Sequence, residues 1–175
     1  MKHLNRNDKL AFSLLETIVV LFIVSIGLVS ILSLTVDSVR AQNLNKNSLV
    51  AYRLAQEGLE LIKNARDSNF IQNSSSTPVV WNLGIEGVPG SDKYKVDYVS
   101  STPEVIAGMA EARLRLDAAD FYLHNDAYPN SIFSRMITIT PGGAASSTVA
   151  SLVEWLDQGQ TYQVELKSIL YDWAY

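Results

Sequence analysis

An uninterrupted apolar run near the N-terminus constrains this chain more than any other feature. Residues 17–36 carry no formal charge, and the longer stretch 11–36, AFSLLETIVVLFIVSIGLVSILSLTV, contains only one charged residue, Glu16. As an α-helix, residues 17–36 would extend for about 30 Å, which matches the thickness of the hydrocarbon core of a bilayer. The run therefore predicts a helix that crosses a membrane.

Glu16 is the chemically unusual residue of this helix. A carboxylate costs about 2.5 kcal/mol or more at the centre of a bilayer and less near an interface, so Glu16 is expected to have a partner. If helices of several copies pack with a stagger, the positive N-terminal amine of one copy can meet Glu16 of the next and offset the desolvation of both. The alternative is a solvated Glu16 at headgroup depth in an ordinary membrane anchor.

Residues 9–16, KLAFSLLE, follow a short basic leader and open the apolar helix. This pattern resembles the N-terminal signal of type IV pilins and of the pseudopilins of type II secretion. The resemblance implies that a prepilin peptidase cuts between Ala11 and Phe12, methylates the new amine of Phe12, and leaves Glu16 as the acid at the fifth mature position. The family usually has Gly before the cut, and Ala11 is also small.

The resemblance also implies the partners of the chain. They are other pilin or pseudopilin subunits, the prepilin peptidase, an inner-membrane assembly platform, and membrane lipid before assembly. Cleavage would make residues 1–11 a cytoplasmic leader that is removed. Residues 12–36 would form the transmembrane or filament-core helix, and residues 37–70 its amphipathic continuation.

The amphipathic continuation is predicted from spacing. Apolar or small residues recur at intervals of three and four, and no proline interrupts residues 12–70, so one helix can include both segments. The recurring apolar or small residues are Ala51, Leu54, Ala55, Gly58, Leu61, Ile62 and Ala65. Gly58 is expected to be a weak point of the helix that costs up to about 1 kcal/mol relative to Ala.

Residues 71–175 are predicted to form a globular head that contains a sheet. Alternation over 94–98 indicates a half-buried strand, residues 107–116 are ambiguous between helix and strand, and 118–130 are expected to be a loop. Residues 132–140, 149–156 and 162–170 are predicted to be three consecutive strands. Short connections join them, which predicts an antiparallel meander. A long helix packed against a small antiparallel sheet is an α+β fold, and it is also the architecture that the resemblance implies.

Three further segments are similar to the minor-pilin class, which includes the type IV pilus modification protein and the I-type minor pseudopilin. They are LAQEGLE at 54–60, FSRMITI at 133–139 and LYDW at 170–173. The alternative for LAQEGLE is a solvated amphipathic face. Among the aromatic residues, Trp155 is expected in the core, whereas Trp173 is equally compatible with the core and with an exposed contact surface.

Charge distribution predicts location and excludes one class of partner. Lys2, Arg6 and Lys9 precede the helix and Asp37 follows it, so the N-terminus is expected in the bacterial cytoplasm and the head outside the inner membrane. Without the leader the chain keeps 11 basic and 17 acidic residues, a formal charge of −6. This balance argues against binding to nucleic acid.

Motifs of catalysis and of metal binding are sparse. The sequence has no cysteine, its two histidines are His3 and His124, and it contains no GxSxG elbow or phosphate-binding loop. We therefore expect no enzyme activity, no cofactor and no metal site. A hydrolase using His124 with Asp120 or Asp126 is the weaker rival, and calcium binding by Asp117, Asp120 and Asp126 is less favoured than a solvated acidic loop.

The strongest functional alternative is a single-pass, membrane-anchored binding module outside the cytoplasm that is not assembled into filaments. Such a module would keep its leader. The mass of the native N-terminus therefore distinguishes the two hypotheses.

Overall fold

The computed structural model describes residues 6–73, 79–85, 91–100, 102–143 and 145–173; of residues 6–13 and 73 it describes only the backbone. One helix, α1, covers Arg6–Asn73. The chain divides into two compact units, Met1–Asn45 and Lys46–Tyr175. The described part of the first unit is helix throughout, because apolar and helix-compatible residues run without a proline from residue 6 to the end of α1.

The second unit contains the last part of α1 and a sheet of seven strands. The strands are β1 (Lys93–Lys95), β2 (Glu104–Val105), β3 (Arg113–Leu116), β4 (Tyr122–Leu123), β5 (Asn130–Pro141), β6 (Ser146–Asp157) and β7 (Gln160–Tyr171). A short 3-10 turn at Met109–Glu111 precedes β3. Every pairing between strands is antiparallel. The predicted α+β fold, a long helix packed against an antiparallel sheet, is confirmed.

Strands β5, β6 and β7 form the predicted meander, and each is longer than its sequence pattern indicated. β6 pairs with β5 along one edge and with β7 along the other. Gln158 and Gly159 form the two-residue connection between β6 and β7, and both have positive φ angles, 49° and 81°. This is the geometry of the tight turns that match the twist of a hairpin.

The other edge of β5 pairs with two short hairpins. β1 contacts the end of β5 near Ile137 and carries β2 on its far side. β3 contacts the first half of β5 near Ser134 and carries β4. The predicted strand over 94–98 was too long, and the expected loop over 118–130 contains β4.

Asp97 explains why β1 is short. Its carboxylate accepts hydrogen bonds from the backbone N–H groups of Val99 and Ser100, at 3.0 and 2.8 Å. These bonds turn the backbone immediately after Val96, so residues 97–100 cannot continue a ladder. The alternation of apolar and polar residues over 94–98 did not reveal that the Asp97 side chain bonds the backbone N–H groups that a longer strand would use.

The core lies between the last part of α1 and the sheet. Predicted helix positions are fully buried there, including Ala51, Ala55 and Ile62, each with no exposed surface. Near the end of α1, Asn69 donates from Nδ2 to the carbonyls of Trp81 and Leu83, at 2.9 and 2.8 Å. The central cluster consists of Ile62, Trp81, Ile85, Tyr94, Val96, Ile137, Ile139, Val149 and Leu170.

Candidate functional site

The apolar surface of α1 is the most prominent feature of the first unit. Large hydrophobic side chains point outward along it, and Leu21 and Phe22 are each 66% exposed. In the described part of the chain, one helix is long and apolar enough to cross a membrane, and its apolar window is not buried against any other part. A surface of this kind is consistent with a membrane anchor.

Four hydroxyl groups within this apolar run are satisfied by the helix itself. Each of the four donates to a backbone carbonyl three or four residues earlier, at 2.7 to 2.9 Å. The pairs are Thr17 with Leu14, Ser25 with Leu21, Ser30 with Ile26, and Thr35 with Ile31. Polar groups bonded in this way can enter a hydrocarbon environment without an unmet donor.

Glu16 differs from these hydroxyl residues. Its side chain is exposed on α1, and within the described residues no ion pair to it is present. The backbone at Ala11 and Phe12 is helical, and their side chains lie outside the described part of the structure. A single copy of the chain therefore shows no counter-charge for Glu16 in the part that is described.

A buried arginine joins α1 to the sheet in the second unit. Arg135 on β5 has no exposed surface. Its Nη1 donates to the Leu54 carbonyl at 3.1 Å and its Nη2 to the Val96 carbonyl at 2.7 Å. Nη1 also lies 3.1 Å from Oε1 of Glu57. Burial lowers the pKa of the Arg135 guanidinium, and the neighbouring Glu57 carboxylate opposes that shift.

The contacts of Arg135 bring together two of the three segments that the sequence analysis compared with minor pilins. LAQEGLE supplies the carbonyl of Leu54 and the carboxylate of Glu57, and FSRMITI supplies Arg135. LAQEGLE is therefore not only a solvated face, since Leu54, Ala55 and Gly58 are buried. The Arg135–Glu57 ion pair therefore links the last part of α1 to β5 at one defined position.

Gly58 lies where side chains of the sheet come close to the backbone of α1. A Cβ atom at this position would lie 2.6 Å from Ser151 Oγ and 2.8 Å from Ile137 Cδ1. Gly58 also has a packing role that helix propensity does not describe, because the absence of a side chain leaves room for the side chains of Ile137 on β5 and Ser151 on β6.

His124 lies beside Asp97, but the geometry is not that of a catalytic pair. Asp97 Oδ2 accepts from the backbone N–H of His124 at 2.9 Å, whereas the ring Nδ1 lies 3.3 Å from the Arg113 carbonyl. The ring Nε2 is buried and has no hydrogen-bond partner among the residues that the structure describes. Burial, with the neighbouring Arg135 charge, lowers the pKa of the His124 imidazole to about 4. The ring is therefore neutral at pH 7.

The acidic loop is organised by its own backbone. Asp117 Oδ1 accepts from the N–H groups of Ala119 and Phe121, at 2.8 and 2.9 Å, and its Oδ2 accepts from the Tyr98 hydroxyl at 3.1 Å. Asp126 pairs with Arg115 at 2.6 Å. No group of three or more acidic or histidine side chains in the described ranges is arranged to hold a metal ion.

The two C-terminal tryptophans lie in different environments. Trp155 is 3% exposed, as expected, and its ring stacks on Tyr162 with centroids 5.6 Å apart. Trp173 is 57% exposed and contacts Phe70, at 4.4 Å between ring centroids. Of the two environments that the sequence left open for Trp173, the core and the surface, the structure shows the surface.

Sequence reasoning did not identify the roles of Arg135, Glu57 and Asp97. The one available signal was Arg135 itself, the only charge in the strand segment FSRMITI. A charge at such a position requires a partner when the strand is buried. Comparisons of the chain with models of protein families, with curated proteins and with solved structures found no match.

Proposed function

We propose that the chain is a structural subunit, of the minor class, in a type IV pilus or a type II secretion pseudopilus. The observation that carries the proposal is Glu16, an exposed acid that forms no ion pair with any described side chain and lies near the start of a membrane-compatible helix. The hydroxyl groups of Thr17, Ser25, Ser30 and Thr35 farther along the apolar run have partners within the helix. Glu16 therefore needs a cation from outside this helix.

In the proposed mechanism the N-terminal amine of a neighbouring subunit supplies that cation. Prepilin peptidase cuts after Ala11 and methylates Phe12, which places a positive amine at the tip of the helix. Subunits leave the inner membrane through an assembly platform and pack by their apolar helices. The attraction between Phe12 of one subunit and Glu16 of the next sets the axial register of the filament.

The proposed location follows from the two ends of the apolar run. The basic leader precedes it, and an exposed ion pair of Asp37 with Arg40, at 3.8 Å, follows it. The positive-inside rule then places the leader in the cytoplasm and the head outside the inner membrane. The candidate membrane-spanning helix near the N-terminus supports this membrane anchorage.

The mass of the native protein tests the proposal directly. We expect the protein purified from its own cells to lack residues 1–11 and to carry one methyl group on Phe12. In cells without prepilin peptidase it should keep the full leader. A native protein that begins at Met1 when the peptidase is active would contradict the proposal.

A membrane-anchored binding module is the second candidate. It is supported by a polar pocket of about 290 Å³ in the second unit, lined by residues that include Lys95, Asp97, Ser100 and His124. A pocket of that size is at the small end of ligand sites. This candidate predicts an intact leader and no filament, so the same mass measurement separates it from the filament subunit.

A further inference from the structure

The outer edge of β7 is long, regular and unpaired within the described chain. β7 pairs with β6 at every position from Gln160 to Tyr171 without a register shift, and with no other described strand. The sheet's other terminal strands, β2 and β4, have only two residues each. A free row of N–H and C=O groups recruits other strands, so natural edge strands are usually short, bulged, or protected by proline or charge. Of these protections β7 has only charge, which Glu165 and Lys167 supply.

The hairpin turn determines which backbone groups of β7 are free. In a two-residue turn of this type Asp157 and Gln160 exchange hydrogen bonds, and bonded pairs then recur at every second residue. The even-numbered residues of β7 therefore bond to β6, and the N–H and C=O groups of the odd-numbered residues point toward the free edge. A second β7 strand that runs antiparallel must pair its odd-numbered residues with these. The two-fold axis that relates the two strands then passes through a residue.

The charges on β7 select one of these registers. An axis through Leu166 places Glu165 of each copy opposite Lys167 of the other, whereas an axis through Glu165 or through Lys167 opposes two like charges. Axes farther from the middle of the strand leave more of β7 unpaired and place no acid opposite a base. Opposite charges across two strands stabilise a pairing and like charges oppose it. The charges that protect this edge against other strands therefore favour a second copy of the same strand.

The ion pair already present on the edge leaves both of its members available to a second copy. Lys167 Nζ lies 3.0 Å from Glu165 Oε2 of the same strand, and the two side chains remain 62% and 44% exposed. An exposed pair of this kind contributes little to stability. Each group therefore has room for a second partner of opposite charge.

The apolar side chains on the other face of β7 fit the same register. Tyr162, Val164 and Leu166 lie on the face that packs on the core, yet each remains partly exposed. An axis through Leu166 places the two Leu166 side chains opposite each other and Tyr162 opposite Leu170. These are pairs without mutual hydrogen bonds, in which opposed Cα atoms lie about 4.5 Å apart and side chains contact closely. A second copy therefore extends the apolar layer of the core.

We propose that two copies of this chain associate through β7, antiparallel and around a two-fold axis at Leu166. The two sheets then form one continuous sheet with about twelve main-chain hydrogen bonds between the copies, a number within the range of typical protein interfaces. Each copy contributes the same strand, so the assembly closes as a dimer. The association uses only residues of the second unit and requires neither leader cleavage nor filament assembly, so its failure leaves the proposed function intact.

Hydrogen exchange tests the proposal on the unmodified full chain in detergent micelles. In the dimer the outward N–H groups of Gln163, Glu165 and Lys167 gain hydrogen bonds, so we expect their exchange to slow by about tenfold or more as the protein concentration rises. The N–H groups of Val164 and Leu166 bond β6 in both states and provide the internal reference. Outward N–H groups that stay unprotected up to about 0.1 mM would overturn the proposal.

A single cysteine tests the register. The chain has no cysteine, so Leu166→Cys introduces one thiol, and the proposed axis places it opposite the same thiol of the other copy. The separation of Cα atoms in such a pair is within the range of disulfides. Val164→Cys is the matched control on the same face, because its two thiols would lie about 14 Å apart along the strands. We expect a disulfide-linked dimer under mild oxidation for Leu166→Cys only. Equal cross-linking of both variants, or of neither, would overturn the proposal.

Charge reversal in the Leu166→Cys background tests the pairing of Glu165 with Lys167. Glu165→Lys gives a chain with two bases at these positions, and Lys167→Glu gives a chain with two acids. Each variant opposes like charges when it pairs with itself, whereas the two variants together oppose bases to acids at both positions. In an equal mixture we expect about tenfold more disulfide-linked heterodimer than either homodimer, measured by mass spectrometry. A statistical mixture of the three dimers would show that these charges do not set the register and would overturn the proposal.

Discussion

Arg135 and Glu57 form an ion pair at 3.1 Å between the centre of the sheet and the last part of α1. The arginine is fully buried, whereas the Glu57 side chain is 40% exposed. The guanidinium also bonds two backbone carbonyls, one on α1 and one next to β1. A buried charge with three fixed partners makes the orientation of the helix on the sheet specific, since any slip leaves the charge unpaired.

Glu57→Ala tests the contribution of this pair to stability. We expect a loss of about 1–2 kcal/mol in the free energy of unfolding, because Arg135 keeps its two carbonyl acceptors and the exposed side of Glu57 is screened by water. Glu60→Ala is the control, since Glu60 makes an exposed pair with Lys63 and should cost less than about 0.5 kcal/mol. Urea unfolding followed by tryptophan fluorescence measures both. Equal losses of unfolding free energy in the two variants would contradict a stabilising ion pair between Glu57 and Arg135.

Gly58→Ala should destabilise the second unit even though alanine favours helix. The added Cβ would meet Ser151 and Ile137 at 2.6 and 2.8 Å, and overpacking of this kind costs about 1–3 kcal/mol. Gly27→Ala is a matched control because nothing lies within 4 Å of its Cβ position. We expect a lower unfolding midpoint for the variant at residue 58 and no decrease for the one at residue 27. An unchanged midpoint for Gly58→Ala would contradict this prediction and would show that the Ser151 and Ile137 side chains can rotate away from the added Cβ.

The lowered pKa of the His124 imidazole predicts a loss of stability in mild acid. Its pKa is lowered from 6.5 to about 4 in the folded chain, so between these pH values the unfolded state binds a proton that the folded state does not. Stability therefore falls as the pH drops from about 6.5 toward 4, by up to about 3 kcal/mol. We expect His124→Gln to flatten this part of a plot of unfolding free energy against pH. An equally steep dependence in His124→Gln would contradict the assignment to this residue.

Asp97 adds a second dependence at lower pH. Burial raises the pKa of its carboxyl, but hydrogen bonds from the backbone of His124, Ser100 and Val99 outweigh burial and lower it. The stability that Asp97 contributes is therefore present above its unfolded pKa and is lost as the pH falls through the lower folded value. Asp97→Asn should remove this acid-dependent loss. The His124 dependence at higher pH should persist in that variant, and its disappearance would contradict separate titration of the two groups.

Glu16→Ala tests the register mechanism proposed for filaments. We expect the variant to insert into the membrane normally, because removal of a charge favours the apolar environment, and to be deficient in incorporation into filaments. Asp37→Ala removes the same charge at the other end of the apolar run, where Asp37 pairs with Arg40, and should be incorporated normally. Immunoblots of sheared filaments and of membrane fractions measure both variants. Normal incorporation of Glu16→Ala into filaments would contradict the proposal that Glu16 sets the axial register.

Local patterns in the sequence predicted most of the architecture. The apolar run, the spacing of residues such as Ala51, Leu54 and Ile62, and the three segments of the meander depend on periodicities of helix and strand that are visible without neighbours. Cleavage at Ala11, methylation of Phe12 and the role of Glu16 stay predictions, since they depend on an enzyme and on other subunits.

The tertiary structure decided the roles of residues whose environment is created by distant parts of the chain. Arg135, Gly58 and Asp97 have ordinary sequence neighbours, and their functions arise from contacts with segments far away in the sequence. Burial, close backbone approach and a shifted pKa are properties of packing, not of composition. By itself the sequence determined that this protein has a membrane-compatible helix and an antiparallel sheet. Only folding decided which charge would be buried between them, because desolvation requires both surfaces to be in place.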